Sequence, residues 1–202
     1  MSVMKNEAAR RALDALLEGN RRFAEGRAEH PRQDARRRKE VLASGQYPFA
    51  AIVACADSRV PPEIVFDQGL GDLFVVRLAG NLADDLGIAS LEYAVEHLEV
   101  PLIVILGHSR CGAVKASAEA SGCGGRLGAI VSAIAPSIER AKETPGDLID
   151  AAARDNATCV AARLRSCGPV LEKLVARGTL DIVAAFYDLE SGRVDIAGEH
   201  AE

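Results

Sequence analysis

Two short segments hold most of the side chains that could do chemistry. The first is Ala54-Cys55-Ala56-Asp57-Ser58-Arg59-Val60, which closes the apolar run Phe49 to Val53; the second is Gly107-His108-Ser109-Arg110-Cys111-Gly112, which closes the run Pro101 to Leu106. His108 and Cys111 stand three positions apart, where a strand should pass into a helix, and Cys55 stands at an equivalent strand end. Thiolate and imidazole groups suit Zn2+, and a set of three protein ligands leaves the fourth tetrahedral position open, as in catalytic rather than structural sites. Each residue taken alone has a plainer reading, a small buried thiol or a hydrogen-bonded inert histidine. Together, at matching strand ends, they point to a metal. Cys159 and Cys167 could close a fourth position only from a helical region.

Asp57 lies two residues beyond Cys55 and can reach the open position, with Arg59 two residues further on. A carboxylate beside Zn2+ tends to ligate it and displace water, and a guanidinium can hold the carboxylate back through a bidentate pair. Asp57 restrained in this way can accept a hydrogen bond from the bound water, whose pKa zinc lowers to about 7. The plainer alternative is a local ion pair that stabilises the loop. Gly107 to Cys111 falls one residue short of a nucleophile elbow, because Cys111 stands where the second glycine belongs. No Cys-x-x-Cys is present, so a thiol oxidoreductase would have to pair Cys55 with Cys111 across strand ends.

The elements that must position these groups alternate in type. Phe49 to Ala54, Leu73 to Val76, Leu102 to Leu106 and Leu180 to Tyr187 have the uninterrupted apolarity of strands buried on both faces, the habit of parallel sheets. Helical patterns follow from Gly87 to Leu98, Ala113 to about Ala120, Leu127 to Lys142, Asp147 to Ser166 and Gly168 to Ala176. Right-handed crossovers then predict an open, mostly parallel α/β sheet of four strands, with Arg193 to Ile196 as a short antiparallel edge strand after the Ser191-Gly192 turn. If the first and third strands are adjacent, Cys55, His108 and Cys111 meet outside their carboxyl ends, where such sheets bind ligands.

Residues 1–45 form an N-terminal helical arm ahead of a 46–202 core, together one domain. Ala12, Leu13, Leu16, Leu17 and Phe23 recur at helical spacing, yet precede the first strand. This helix is expected to pack on another subunit or to wrap the domain. Arg36-Arg37-Arg38-Lys39 reads as a solvated or ion-paired helix face. The cluster Gly122-Cys123-Gly124-Gly125-Arg126-Leu127-Gly128 misses a dinucleotide fingerprint by one residue and follows no strand, so it reads as a loop. His30, His97 and His200 read as surface or helix-end residues.

Composition narrows the function classes. A chain of 202 residues holds one sizeable core, and a net charge of -5 argues against nucleic acid. Five cysteines, an odd count, disfavour a disulfide framework. Neither a signal peptide nor an apolar run of bilayer length is seen, so a cytoplasmic protein without a membrane partner is expected.

The chain resembles the β-class carbonic anhydrases through Cys55-x-Asp57-Ser58-Arg59, through His108-x-x-Cys111-Gly112 and through their separation, and the likeness runs from Leu13-x-x-Leu16-Leu17-Glu18-Gly19-Asn20 to Tyr187-Asp188-Leu189. The resemblance implies one Zn2+ on Cys55, His108 and Cys111, with Asp57 and Arg59 as the dyad beside it, and reversible hydration of CO2 to bicarbonate and a proton. It implies a substrate pocket that uses Gln46 from the partner protomer, with Phe74, Tyr93 and Gly112, and hence an obligate homodimer, paired in some members into a tetramer. One subgroup carries a regulatory bicarbonate pocket with a tryptophan three residues, and a glycine one residue, before the first ligand. Here Ile52 and Ala54 stand there, although Arg77 matches another of that pocket's residues. An open site is therefore expected at neutral pH. The alternatives are a zinc hydrolase of the same fold acting on carbon disulfide or carbonyl sulfide, and a non-catalytic zinc or bicarbonate-binding protein.

Overall fold

The computed structural model describes residues 6–119 and 125–197; Gly122, Cys123 and Gly124 of the glycine cluster, and His200, lie outside the described residues. A five-stranded sheet runs in the order β2-β1-β3-β4-β5, from β1 (Ala50–Ala54), β2 (Leu73–Arg77), β3 (Leu102–His108), β4 (Asp181–Tyr187) and β5 (Val194–Ile196). Neighbours from β2 to β4 pair in parallel and β5 pairs antiparallel to β4. This is the open sheet expected from the apolar runs.

Every residue of β1 and β3 is buried, because side chains alternate into two separate cores. Ala51, Val53, Ile103 and Ile105 face one layer, built with α4 (Asp85–His97), α7 (Leu148–Arg165) and α8 (Gly168–Ala176). Ala50, Ile52, Ala54, Leu102, Val104 and Leu106 face the other, built with α1 (Glu7–Ala24) and the end of α3 (Pro62–Val65). A third cluster gathers Cys55 and Cys111 with Val114 of α5 (Gly112–Glu119) and Ile134 of α6 (Leu127–Ala141).

The second layer changes the reading of the N-terminal helix. Ala9, Ala12, Leu13 and Leu16 of α1 are buried within their own chain, so the helix needs no second subunit to cover its stripe, and the expectation that it wraps the domain is the one met. The reason is topological: α3, the connection from β1 to β2, is a single turn. It cannot cover a face four strands wide. Leu16 is fully buried there, which contributes about 1.5–3 kcal/mol. Asn20, buried at the far end of α1, ties the helix down by donating to the Val65 and Gly192 carbonyls and accepting from the Val194 N–H.

α2 (Ala35–Ser44) buries no residue, and its basic run is ion-paired within the chain: Arg37 donates to the Leu70 carbonyl and lies 3.5 Å from Asp72, and Arg36 lies 3.6 Å from Glu40. β2, at the sheet edge, is only half-buried along its whole length.

The strand order fixes where chemistry can happen. From β1 the chain turns to β2 on one side, whereas from β3 it continues to β4 on the other. The loops leaving β1 and β3 thus part in opposite directions, which opens a crevice between adjacent strand ends. Cys55 follows β1 directly and His108 is the last residue of β3.

Candidate metal centre

Cys55 Sγ, Cys111 Sγ and a ring nitrogen of His108 lie within 4.8 Å of one another, and all three residues are buried. Cys55 and His108 are adjacent because Ala54 pairs with Leu106 in the β1–β3 ladder. Cys111 is brought back by the turn at Arg110, whose φ of 52° is a left-handed conformation that L-residues seldom adopt.

The histidine has its tautomer set. Nδ1 lies 2.9 Å from the Ser109 carbonyl oxygen, which can only accept, so Nδ1 carries the hydrogen and Nε2 presents a lone pair. That Nε2 is buried without any hydrogen-bond partner. A buried orphan acceptor beside two thiols is costly unless it serves a ligand. The donor set, two sulfurs and one imidazole nitrogen, therefore fits a soft or borderline divalent metal.

Charge is prepared on the Cys55 side. Its Sγ accepts the backbone N–H groups of Asp57 at 3.4 Å and Gly80 at 3.2 Å. Hydrogen bonding from the Cys111 thiol pulls the Cys55 pKa well below the usual thiol range against the cost of burial, with those two N–H groups adding to the effect. The second thiol of the pair is pushed up, first by its bond to Cys55 and then by burial. One proton is thus held between two sulfurs, an arrangement that a divalent cation relieves by displacing it.

Asp57 and Arg59 form the bidentate pair expected from their spacing. Arg59 Nε donates to Asp57 Oδ1 at 2.9 Å and an Nη donates to Oδ2 at 2.7 Å, while the Arg59 N–H also donates to Oδ1. Arg59 beside it holds the Asp57 carboxyl down at about 2. Asp57 Oδ2 remains 4.0 Å from His108 Nε2, so the carboxylate sits next to the ligand cluster. Arg59 also reaches the Arg110 carbonyl at 3.3 Å, which links the two ligand loops through one guanidinium.

The other candidate residues are not gathered with the cluster in this chain. Phe74 pairs with Ala51, about 13 Å of strand before Cys55. Its ring packs against Tyr93 at 6.3 Å on the flank of the sheet, and Tyr93 is 48% exposed. Gln46 is exposed and precedes β1, at the end of the strand opposite Cys55. Gly112 does border the ligands, and a Cβ added there would meet nothing within 4 Å.

Residues outside the expected ligand, dyad and substrate set also build the centre. Arg77, at the end of β2, donates to the carbonyls of Cys55 at 2.9 Å and Asp57 at 2.5 Å, and so grips the loop after β1 from the neighbouring strand. Gly80 sits at φ 72° in the short 3-10 turn Ala79–Asn81, where a Cβ would lie 2.7 Å from Ile134 Cδ1. Its carbonyl accepts from the buried Asn156 side chain at 2.8 Å. The Gly80-Asn81 dipeptide after a strand was the one available signal, since both residues take positive φ. Ile52 and Ala54 are completely buried in the core.

Fold and site together define an open α/β protein with a buried two-sulfur, one-nitrogen cluster able to hold a metal at its topological switch point and a restrained carboxylate beside it. Comparison with known proteins narrows this to a family. The family model described as carbonic anhydrase matches residues 50–194. Carbonic anhydrase 2 of Mycobacterium tuberculosis strain H37Rv is 44% identical over 186 residues, covering 90% of this chain and 89% of the relative. The carbonic anhydrase of Mycolicibacterium smegmatis is 41% identical over 197 residues, covering 96% and 95%. Among solved structures, a chain from the study of two tetrameric β-carbonic anhydrases of the filamentous ascomycete Sordaria macrospora superimposes with a TM-score of 0.74 at 25% identity, covering 95% of this chain and all of that one. The chain belongs to the β-carbonic anhydrase family. It is therefore an enzyme of the class that interconverts carbon dioxide and bicarbonate.

Proposed function

We propose that the metal is zinc, one ion per chain, held by Cys55, His108 and Cys111, and that Asp57 and Arg59 act as the dyad beside it in the reversible hydration of CO2. The observation that carries this reading is the Asp57 carboxylate, pinned by two Arg59 bonds and 4.0 Å from an otherwise unpartnered His108 Nε2. A purely structural metal site has no use for such a carboxylate. When bound, zinc supplies hydroxide at neutral pH by lowering the pKa of a water in its open position to about 7.

This chain's residues do the rest. Asp57, ionised and held back by Arg59, would accept a hydrogen bond from the nucleophile that zinc supplies and so orient it toward the substrate carbon. Arg77 is engaged by two loop carbonyls, and fully buried Ile52 stands where the subgroup with a regulatory pocket carries tryptophan. Both favour a site that stays open at neutral pH.

The substrate pocket is completed by a second copy of this chain. Leu42, Tyr47, Leu70, Leu86 and Tyr93 are exposed apolar side chains on α2, on the segments leading into β1 and β2, and on α4. Gln46 and Tyr93 belong to that surface and lie too far from their own metal cluster to reach it. In a homodimer they would approach the partner's cluster, with Phe74 behind Tyr93 and Gly112 leaving room for a small linear molecule. The family likeness extends to a chain described as tetrameric, which suits a further pairing of dimers.

Stopped-flow CO2 hydration with metal analysis tests the reading. Zinc near one per chain with hydration activity, and an Asp57→Asn variant that keeps its zinc while losing about 10²–10⁴-fold in rate, is the expected outcome. Zinc at full occupancy without hydration would instead indicate a binding protein or a hydrolase of another small linear substrate.

A further inference from the structure

The turn between His108 and Cys111 must hold two ligands at fixed separation while passing through the left-handed Arg110. Its neighbours are anchored to β4: the Ser109 N–H donates to the Tyr187 carbonyl at 3.0 Å, and Ser109 Oγ accepts the Leu189 N–H at 2.8 Å. Arg110 itself has no strand partner. Its carbonyl accepts from Arg59, and its N–H donates at 2.7 Å to the Oδ1 of Asp150, forty residues away in the first turn of α7.

An acid in the first turn of a helix needs no special account, since it complements the helix dipole. Asp150, however, turns its carboxylate outward onto another loop, while the helix's own first N–H groups, those of Ile149 and Asp150, are capped by Asp147. Capping of α7 and clamping of the ligand turn are thus divided between two aspartates three residues apart.

We propose that Asp150 is a positioning residue for the metal centre, its carboxylate fixing the left-handed Arg110 turn that sets the spacing of His108 and Cys111. This rests on the metal reading above. Asp150 touches neither metal nor substrate; it acts through a backbone N–H. Because Arg59 holds the carbonyl of the same residue, the clamp also fixes one end of the bridge that restrains Asp57.

Zinc affinity, measured by chelator competition on the full chain, together with the sulfur-to-metal absorption of the cobalt-substituted protein, separates this role from a structural one. Asp150→Ala should weaken zinc by about 10–100-fold, the usual consequence of losing an outer-shell partner, and should alter the cobalt spectrum. Asp150→Asn keeps an acceptor oxygen and should recover most of the affinity. Asp147→Ala, which removes the helix cap alone, should lower the melting temperature and leave the zinc constant within about threefold, since the cap does not touch the turn. In an Arg110→Gly background, where left-handed φ is unstrained, the Asp150→Ala loss should shrink. Should Asp150→Ala fail to fold, the Asp150→Asn and Arg110→Gly measurements still decide. Asp150→Ala with zinc affinity within twofold of the native chain, or Asp147→Ala weakening zinc as strongly, overturns the proposal. A native chain that takes up no zinc overturns the metal reading as well, and is recognised without any variant.

Discussion

The two halves of the metal centre are built on different principles. The β3 half, His108 to Cys111, grows out of a strand buried along its whole length, and the backbone of β4 holds it through residue-by-residue pairing up to His108 and Tyr187. The β1 half, Cys55 to Arg59, leaves its strand at once and is held by scattered bonds: the Leu78 carbonyl on the Ala56 N–H, Arg77 on its carbonyls, the Gly80 N–H on its sulfur, and Arg59 on its carboxylate. The first half is held up to Ser109 by strand pairing and beyond it by the Asp150 carboxylate on the Arg110 N–H, whereas the second draws its restraint chiefly from hydrogen bonds of neighbouring loops. This division suits an enzyme that needs a fixed imidazole and an adjustable gate. It also implies that the β1 half is the one that mutation and pH can loosen without unfolding the domain.

Arg59 joins the halves, so among the residues that tie them together its loss should have the largest effect. Arg59→Gln frees Asp57 and removes the bridge to the Arg110 carbonyl. CO2 hydration should fall by about 10²–10³-fold at neutral pH with zinc still near one per chain, and a crystal structure should place the freed carboxylate on the metal. Arg59→Lys should rescue little, because an ammonium cannot reproduce the two-pronged bond. Wild-type rates in Arg59→Gln would show that the carboxylate needs no restraint and that the two halves do not depend on their link.

Arg77 tests the β1 half alone. Arg77→Gln leaves β2 in place but releases the carbonyls of Cys55 and Asp57, and zinc affinity should drop about 10–100-fold with hydration falling in parallel. The melting temperature of the metal-stripped chain should change little, since Arg77 is only half-buried at an edge strand. A large loss of metal-free stability with unchanged zinc affinity would mean that Arg77 serves the sheet edge instead of the loop.

How far the sequence revealed this division follows from the range of the contacts. The strands and the three residues that cluster at their ends were legible because each rests on a local pattern, an apolar run or a short motif at its end, whereas the adjacency of β1 and β3 stood only as a condition. The Asp57–Arg59 pair was legible for the same reason, being two residues apart. The anchors were not. Arg77 reaches back 22 residues to Cys55, Asp150 reaches 40 to Arg110, and Asn156 reaches 76 to the Gly80 carbonyl. No periodicity announces a side chain that crosses between loops. Burial of α1 in its own chain stood as one of two alternatives, because choosing it required knowing that the β1–β2 connection is a single turn that leaves a sheet face bare.

The smallest expected effect is on stability in acid, and it isolates the gate from the metal. The ordinary Asp57 carboxyl pKa of 3.8 falls to about 2 in the folded chain, chiefly through Arg59. A depressed folded-state pKa means that the unfolded chain binds the proton more tightly, so the pair's contribution is fully present above the unfolded value and fades as pH falls from 3.8 toward 2. Denaturant unfolding of the metal-stripped chain should therefore show a native stability that declines across this interval more steeply than that of Asp57→Asn, the two converging at the acid end. Metal removal is essential, because proton competition for the thiolates would otherwise dominate the acid limb. Because Arg59 is more than half exposed, solvent screens the pair and the difference should be modest and should shrink further in high salt. A native curve parallel to that of Asp57→Asn throughout would mean that the gate contributes nothing to the fold and is held entirely by its surroundings, which would put the adjustable half of the centre on the same footing as the rigid one.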